Sequence, residues 1–246
     1  MDSILWQIRE FAEIDSTNTY LAQEAQSGAP EGVVARAEFQ SAGRGRLDRS
    51  WEAPRGVSLL ASILLRPTVP PEQRFLVSAA VALSARTALT RLCGLQPALK
   101  WPNDLVVGDR KLGGLLSEVI GDGAGYVVGI GVNLQWPGPE GVGGTCVLDE
   151  IGVSIEPRAM LDIALGELNK RRFLLDTESG RLELHEELVG ALATLGRMIR
   201  VERAEDSITG TAIALEQDGT LMVATPDGTV SVRYGDIVHL RNTEML

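Results

Sequence analysis

The chain has 246 residues, 44% hydrophobic and 23% charged, close to globular averages, which excludes fibrous and disordered classes and leaves enough apolar residue for a real core. That length suits a main domain of roughly 150–200 residues with a small appendage. The net charge of −10 argues against a general nucleic-acid binder, which would carry a basic surplus.

In chain order, Ile4–Ile14 reads as a strand, and Ser16 caps a short helix that runs through Leu21 and Ala25 and stops at Gly28. Val33–Phe39 alternates apolar and polar residues as a half-buried strand does. After a Gly/Arg segment at 41–50, Val57–Leu65 reads as a buried strand. Pro70-Pro71 opens a long amphipathic helix that ends at Gly94. Ala98–Trp101 is a short strand, and Leu105–Val107 with Leu112–Val119 flank Gly108-Asp109 as a hairpin. Tyr126–Leu134 is a further strand, followed by a Pro/Gly-rich segment, Trp136–Gly144, expected to be a mobile loop. A helical stretch starts at Ser154 and Pro157 and runs to about Leu195, with a break near Gly180. Beyond Gly196 come five short strands, Met198–Glu202, Ile208–Leu215, Leu221–Thr225, Val230–Tyr234 and Ile237–Leu240, with Asp-Gly turns at 218–219 and 227–228. They predict a small barrel, and the expected division is 1–195 and 196–246.

Cys93 and Cys146 form no C-x-x-C pair, which excludes a disulfide framework and a structural zinc site. The two histidines, His185 and His239, form no H-E-x-x-H. Met1-Asp2-Ser3 lacks the basic start of a signal peptide, and the longest apolar stretch, Gly56–Leu65, is too short for a bilayer; the expectation is a cytoplasmic protein with no membrane partner. Of 23 basic residues only Lys100, Lys111 and Lys170 are lysine, leaving 23 − 3 = 20 arginines. A surviving lysine in such a background is a candidate for a role that needs a compact, titratable ammonium, with codon bias as the plain alternative.

Five segments carry polar chemistry. Gly43-Arg44-Gly45-Arg46-Leu47-Asp48-Arg49 sets three guanidiniums among glycines that permit positive φ, an arrangement able to wrap phosphate or carboxylate; a solvated charged turn is the rival reading. No P-loop and no G-x-G-x-x-G occurs. Lys100-Trp101-Pro102-Asn103-Asp104 presents an amide and a carboxylate just past a strand end, where an Asn-Asp turn is the rival. In Lys111-Leu112-Gly113-Gly114, regular alternation puts Lys111 and Gly113 on one face. In Gly129-Ile130-Gly131-Val132-Asn133 the same rule aligns Gly129, Gly131 and Asn133, as for a close approach by a ligand or by another backbone. Asp15-Ser16-Thr17-Asn18 caps a helix and can hydrogen-bond a polar ligand head. Together they describe a pocket for a small, flat, partly apolar carboxylic acid and a nucleotide.

These pieces, in this order and together with Gln40, Trp51 and Arg110, resemble the biotin–protein ligases, closely over residues of about 5–135. The resemblance implies an α+β fold: a mixed, largely antiparallel sheet flanked by helices, class II synthetase-like, with a small C-terminal SH3-like β-barrel. It implies activation of biotin by ATP, magnesium accompanying the nucleotide, to give biotinyl-5′-AMP, then transfer to a lysine of a biotin carboxyl carrier domain. By similarity Lys111, Arg44, Arg46 and Asp104 carry the chemistry. Ser16, Thr17, Asn18, Gln40, Gly43, Arg44, Gly45, Arg46, Lys111, Gly113, Gly114, Gly129 and Gly131 would bind biotin. Arg46, Arg49, Trp51, Asn103, Asp104, Lys111 and Asn133 would bind the adenylate. No metal ligands are implied, and relatives occur as monomers and as homodimers. Asp48 stands where many relatives have glycine, and it is expected to pair with a neighbouring arginine. Relatives that also repress transcription carry an N-terminal helix-turn-helix, for which this sequence leaves no room before its first strand. A cofactor-binding regulator without turnover and a lipoyl- or octanoyl-transferring enzyme are the other classes these motifs raise; the intact lysine, clamp and K-W-P-N-D segment favour a biotin ligase.

Overall fold

The computed structural model describes residues 3–203 and 206–240, so the outermost ends of the expected division, at 1 and 246, lie outside the described residues. It holds two sheets. The larger has seven strands in the order β1-β2-β3-β7-β6-β5-β4, comprising β1 (Gln7–Phe11), β2 (Val33–Ala37), β3 (Ser58–Leu65), β4 (Ala98–Lys100), β5 (Asp104–Val107), β6 (Arg110–Ile120) and β7 (Gly125–Asn133). β1 and β2 run parallel and every other neighbour antiparallel, which is the mixed sheet expected.

Both faces of this sheet are covered, and strand alternation shows how. On β7, Val128, Ile130 and Val132 point into the main core under α2 (Phe75–Cys93), α4 (Pro157–Arg172) and α5 (Glu178–Ala191). Val127 on the other face packs beneath α1 (Thr17–Gln26) with Leu21, Val33 and Leu64. That second cluster is small, and the α1 face beyond it carries Gly129, Gly131 and Asn133 instead of apolar side chains, which leaves a hollow beside the helix start. α2 with the turn before it, Pro71–Cys93, is long and apolar enough to cross a membrane by length and composition, more so than Gly56–Leu65, and it is packed against α4, α5, β6 and β7.

Local signals set most ends. Ser16 caps α1, its side chain accepting from the Thr19 amide, and Gly94 ends α2 in the left-handed region at φ 74°. The break in the C-terminal helical stretch falls at Phe173–Thr177 rather than at Gly180. Thr177 caps α5, and Gly180 lies inside its first turn because a Cβ there would meet the Leu174 carbonyl at 2.4 Å. A one-turn helix, α3 (Val147–Ile151), had no sequence signal.

The second sheet is antiparallel, in the order β11-β10-β9-β8-β12, from β8 (Met198–Glu202), β9 (Ser207–Leu215), β10 (Leu221–Thr225), β11 (Gly228–Val232) and β12 (Asp236–His239). Its apolar residues Ile199, Val201, Ala212 and Val223 join the main core, so the two sheets share one interior. Polar contacts close the seam: Trp101 donates through Nε1 to the Gly219 carbonyl at 3.1 Å, and Arg197 pairs with Asp109 at 2.7 Å. His239 sits buried between Asp109 and Thr194, and burial with nearby Arg197 and Lys100 holds its imidazole down at about 4.

Candidate active site

The hollow on the α1 face is a cavity of about 360 Å³, a size suited to a small-molecule site. At its inner end, buried hydroxyls and amides form one hydrogen-bonded chain. Gln40 Oε1 accepts from the Thr17 amide (2.8 Å) and hydroxyl (2.9 Å), and the Ser62 hydroxyl lies 2.7 Å from that of Thr17 and donates to Asn18 Oδ1 at 2.6 Å. Ser62, on β3, was missed at the level of motifs; the available signal was a lone hydroxyl inside an apolar strand. Asn18 lies directly over Gly129, where a Cβ would sit 2.2 Å from Asn18 Oδ1. Ser16 caps α1 and also lines the cavity with Thr17 and Asn18, whereas Asp15 does not line it.

The outer end carries the charge. Gly43–Trp51 is a tight hairpin, with Gly45 N donating to Arg49 O at 2.7 Å and Trp51 N to Gly43 O at 2.9 Å. The positive φ values fall on Leu47 (54°) and Asp48 (56°), not on Gly43 or Gly45. Two consecutive left-handed residues make the type I′ turn that hairpins prefer, a turn that ordinarily takes Asn-Gly. Gly43 serves strand approach instead, since a Cβ would meet the Trp51 carbonyl at 2.3 Å, and it does not line the cavity. Asp48 forms no ion pair among the described residues, contrary to expectation; its role is conformational, since Asp tolerates this region better than most residues.

Lys111 reaches the cavity through an irregularity in β6. Leu105 pairs with Gly113 but Val106 with Lys111, so Leu112 is an extra residue in the ladder. The bulge sends Leu112 into the core and turns Lys111 to the cavity face, beside Gly114 and not Gly113. Gly113 is a packing residue: a Cβ there would meet the Gly131 carbonyl at 2.6 Å and the core side chains of Leu105 and Val132. The Lys111 ammonium lies 2.7 Å from Asp104 and 5.7 Å from the centre of the Trp51 ring. Trp51 lies against Gly131, and its buried indole N–H has no partner among the described residues.

Each cation here has an acidic partner. Arg44 pairs with Glu118 at 2.9 Å, Arg46 donates to Asn103 at 3.0 Å and lies 3.8 Å from Asp236, and Arg49 pairs with Asp236 as well. Asp236 comes from β12, so the second sheet adds a wall to the cavity. Glu118 and Asp236 escaped notice because their arginines are 74 and 187 residues away. The segment 136–144, expected to be mobile, is tied at both ends: Lys111 N donates to Gly143 O (3.1 Å) and Asn133 Nδ2 to Pro137 O (3.1 Å). Of the other lysines, Lys170 pairs with Glu167 on α4, and Lys100 is half-buried beside the site, its pKa pushed down by burial.

Residues 10–135 match the biotin/lipoate A/B protein ligase family, and residues 194–240 match the biotin protein ligase C-terminal domain. The chain is 33% identical to a biotin–[acetyl-CoA-carboxylase] ligase of Mycobacterium tuberculosis, over 96% of this chain and 90% of that one. The chain belongs to the biotin protein ligases. It is 29% identical to the bifunctional ligase/repressor BirA of Escherichia coli, covering 94% of this chain and 73% of that one. Among solved structures, the biotin protein ligase of Aquifex aeolicus in complex with biotin and ATP superposes with a TM-score of 0.81 at 25% identity, over 96% of this chain and 99% of that chain. This biotin ligase thus has the α+β catalytic fold and SH3-like end of its family. All its expected site residues except Gly43 and Gly113 line the one cavity.

Proposed function

We propose that this cavity joins biotin to ATP as biotinyl-5′-AMP and passes the biotinyl group to a lysine of a biotin carboxyl carrier domain, residues 1–195 acting as the catalytic domain and 196–246 as the barrel that walls it. The observation that carries the reading is the meeting of Lys111, Arg46, Arg49 and Asp104 at the outer end of a cavity whose inner end is neutral and hydrogen-bonding. The inner end fits a ureido head, with Ser16, Thr17, Asn18 and Gln40 offering donors and acceptors and Ser62 backing Thr17 and Asn18 from behind.

In the first step a carboxylate oxygen attacks the α-phosphorus and pyrophosphate leaves. Two acids must meet, so preorganised positive charge lowers the barrier most. Lys111 supplies it once it gives up Asp104, with Arg46 and Arg49 closing from the hairpin. Trp51, with its free N–H, and Asn103 and Asn133 would hold the adenylate. In the second step the acceptor amine attacks the anhydride carbonyl and AMP departs. That amine, with an ordinary pKa of about 10.4, must lose a proton, and Asp104, released from Lys111, is placed to take it. Magnesium is expected to accompany the triphosphate of ATP.

The test is incubation with ATP, labelled biotin or labelled lipoate, and a carrier domain. Covalent label from biotin alone supports the reading; label from lipoate in its place overturns it.

A further inference from the structure

Glu118 lies on β6 two positions beyond Leu116, on the face that carries the cavity. Its two oxygens have different partners. One accepts from Asn18 Nδ2 at 2.8 Å, and the other from Arg44 Nη1 at 2.9 Å. Asn18 belongs to the buried chain at the inner end, and Arg44 is in the stem of the hairpin, bridged to Ser50. A single carboxylate thus ties both ends of the site to one strand. Only an acceptor with two free oxygens can do this, since a carboxamide would turn an N–H toward either the Asn18 amide or the guanidinium.

This arrangement sets Arg44 apart from Arg46 and Arg49. The latter two sit on the turn side of the hairpin and face Asp236 on the second sheet, whereas Arg44 is held against the floor strand. We propose that Glu118 is a positioning residue and that Arg44 is the fixed stem of the clamp rather than one of its arms. Glu118 sets where the hairpin stands over the cavity and links that placement to Asn18 at the inner end. The kinetic part of this inference rests on the biotin-ligase reading above.

The experiment compares wild type, Glu118→Gln, Arg44→Gln and the double variant. Both single variants are expected to raise the KM for biotin roughly tenfold while leaving kcat within about twofold, and the double variant to be no worse than the poorer single one. In the ligand-free protein, amide hydrogen exchange across residues 43–51 should quicken in all three variants, a readout that needs no turnover. Additive losses, unchanged exchange in the hairpin, or a collapse of pyrophosphate release at saturating biotin in Arg44→Gln would overturn the proposal, the last because it would put Arg44 on the reacting acids. Arg44 is half exposed, so its variant folds even where Glu118→Gln does not, and it tests the same linkage alone. A wild type that makes no adenylate would instead remove the ligase reading and leave the exchange result standing.

Discussion

The two ends of the cavity are built on opposite principles. At the inner end Ser16, Thr17, Asn18 and Ser62 are all less than 5% exposed and uncharged, Ser62 bonding Thr17 and Asn18 while Ser16 caps α1. At the outer end the side chains of Lys111 and Arg49 are 38% and 62% exposed and held by carboxylates. Exposed ion pairs are worth about 0–1 kcal/mol, so they let go readily when a better anion arrives. A buried hydroxyl or amide left without its partner costs about 1–3 kcal/mol, so the inner end is hard to rearrange. On the proposed reading, discrimination between small molecules belongs inside, and the movable charge that would bring two acids together belongs outside. The carboxylates Asp104 and Asp236 hold the movable cations in place until then.

The largest expected effect is at the outer end. Lys111→Ala should cut pyrophosphate release by on the order of 10²–10³-fold or more, with an unchanged melting curve, because an ammonium over a bulge supplies charge and little packing. Near-wild-type release would remove Lys111 from the chemistry and leave the outer end without its central charge. At the inner end, Gly129→Ala would drive a methyl into the Asn18 amide. It should raise the KM for biotin by roughly tenfold or more and destabilise the protein by about 1–3 kcal/mol in urea unfolding. An effect on the KM for ATP but not for biotin would reverse the assignment of the two ends. Ionic strength separates them more gently. Raising salt from about 0.15 M to 1 M shortens the screening length from about 8 Å to 3 Å, so the KM for ATP should rise several-fold while that for biotin barely moves.

What the sequence discloses follows the same division. The inner end is local: a cap at Ser16, an alternation on β7 that places Gly129, Gly131 and Asn133 together, and a helix that must cover the face they leave open. Period-2 and capping signals reach these pieces, as they reach the strands of the small barrel, whereas the mixed sheet is expected only from the family resemblance. Alternation fails at Lys111 because one extra residue, Leu112, shifts the parity, and nothing in Lys-Leu-Gly-Gly marks a bulge. It fails again at Glu118 and Asp236, whose meaning depends on arginines brought near only by the completed fold. The glycines of the clamp misled for a physical reason too. Glycine permits positive φ, but Gly43 was needed for close approach, and the left-handed positions fell to Leu47 and Asp48.

That turn supplies the smallest prediction and bears on whether the outer end is strained by construction. A left-handed conformation costs an ordinary residue roughly 1–2 kcal/mol, and less for Asp, whose short side chain is tolerated there. Glycine removes the cost but adds entropy to the unfolded chain, a loss of about 0.5–1 kcal/mol. Leu47→Gly should therefore stabilise the protein by up to about 1 kcal/mol, read as a higher urea midpoint at constant slope, while Asp48→Gly should change it by a few tenths at most. Leu47 is 67% exposed, so little buried apolar contact is lost in the exchange. If Leu47→Gly also slows adenylate formation, the strained turn is part of how the arginines are presented; if it stabilises with full activity, the strain is incidental and the paired carboxylates alone hold the outer end in register.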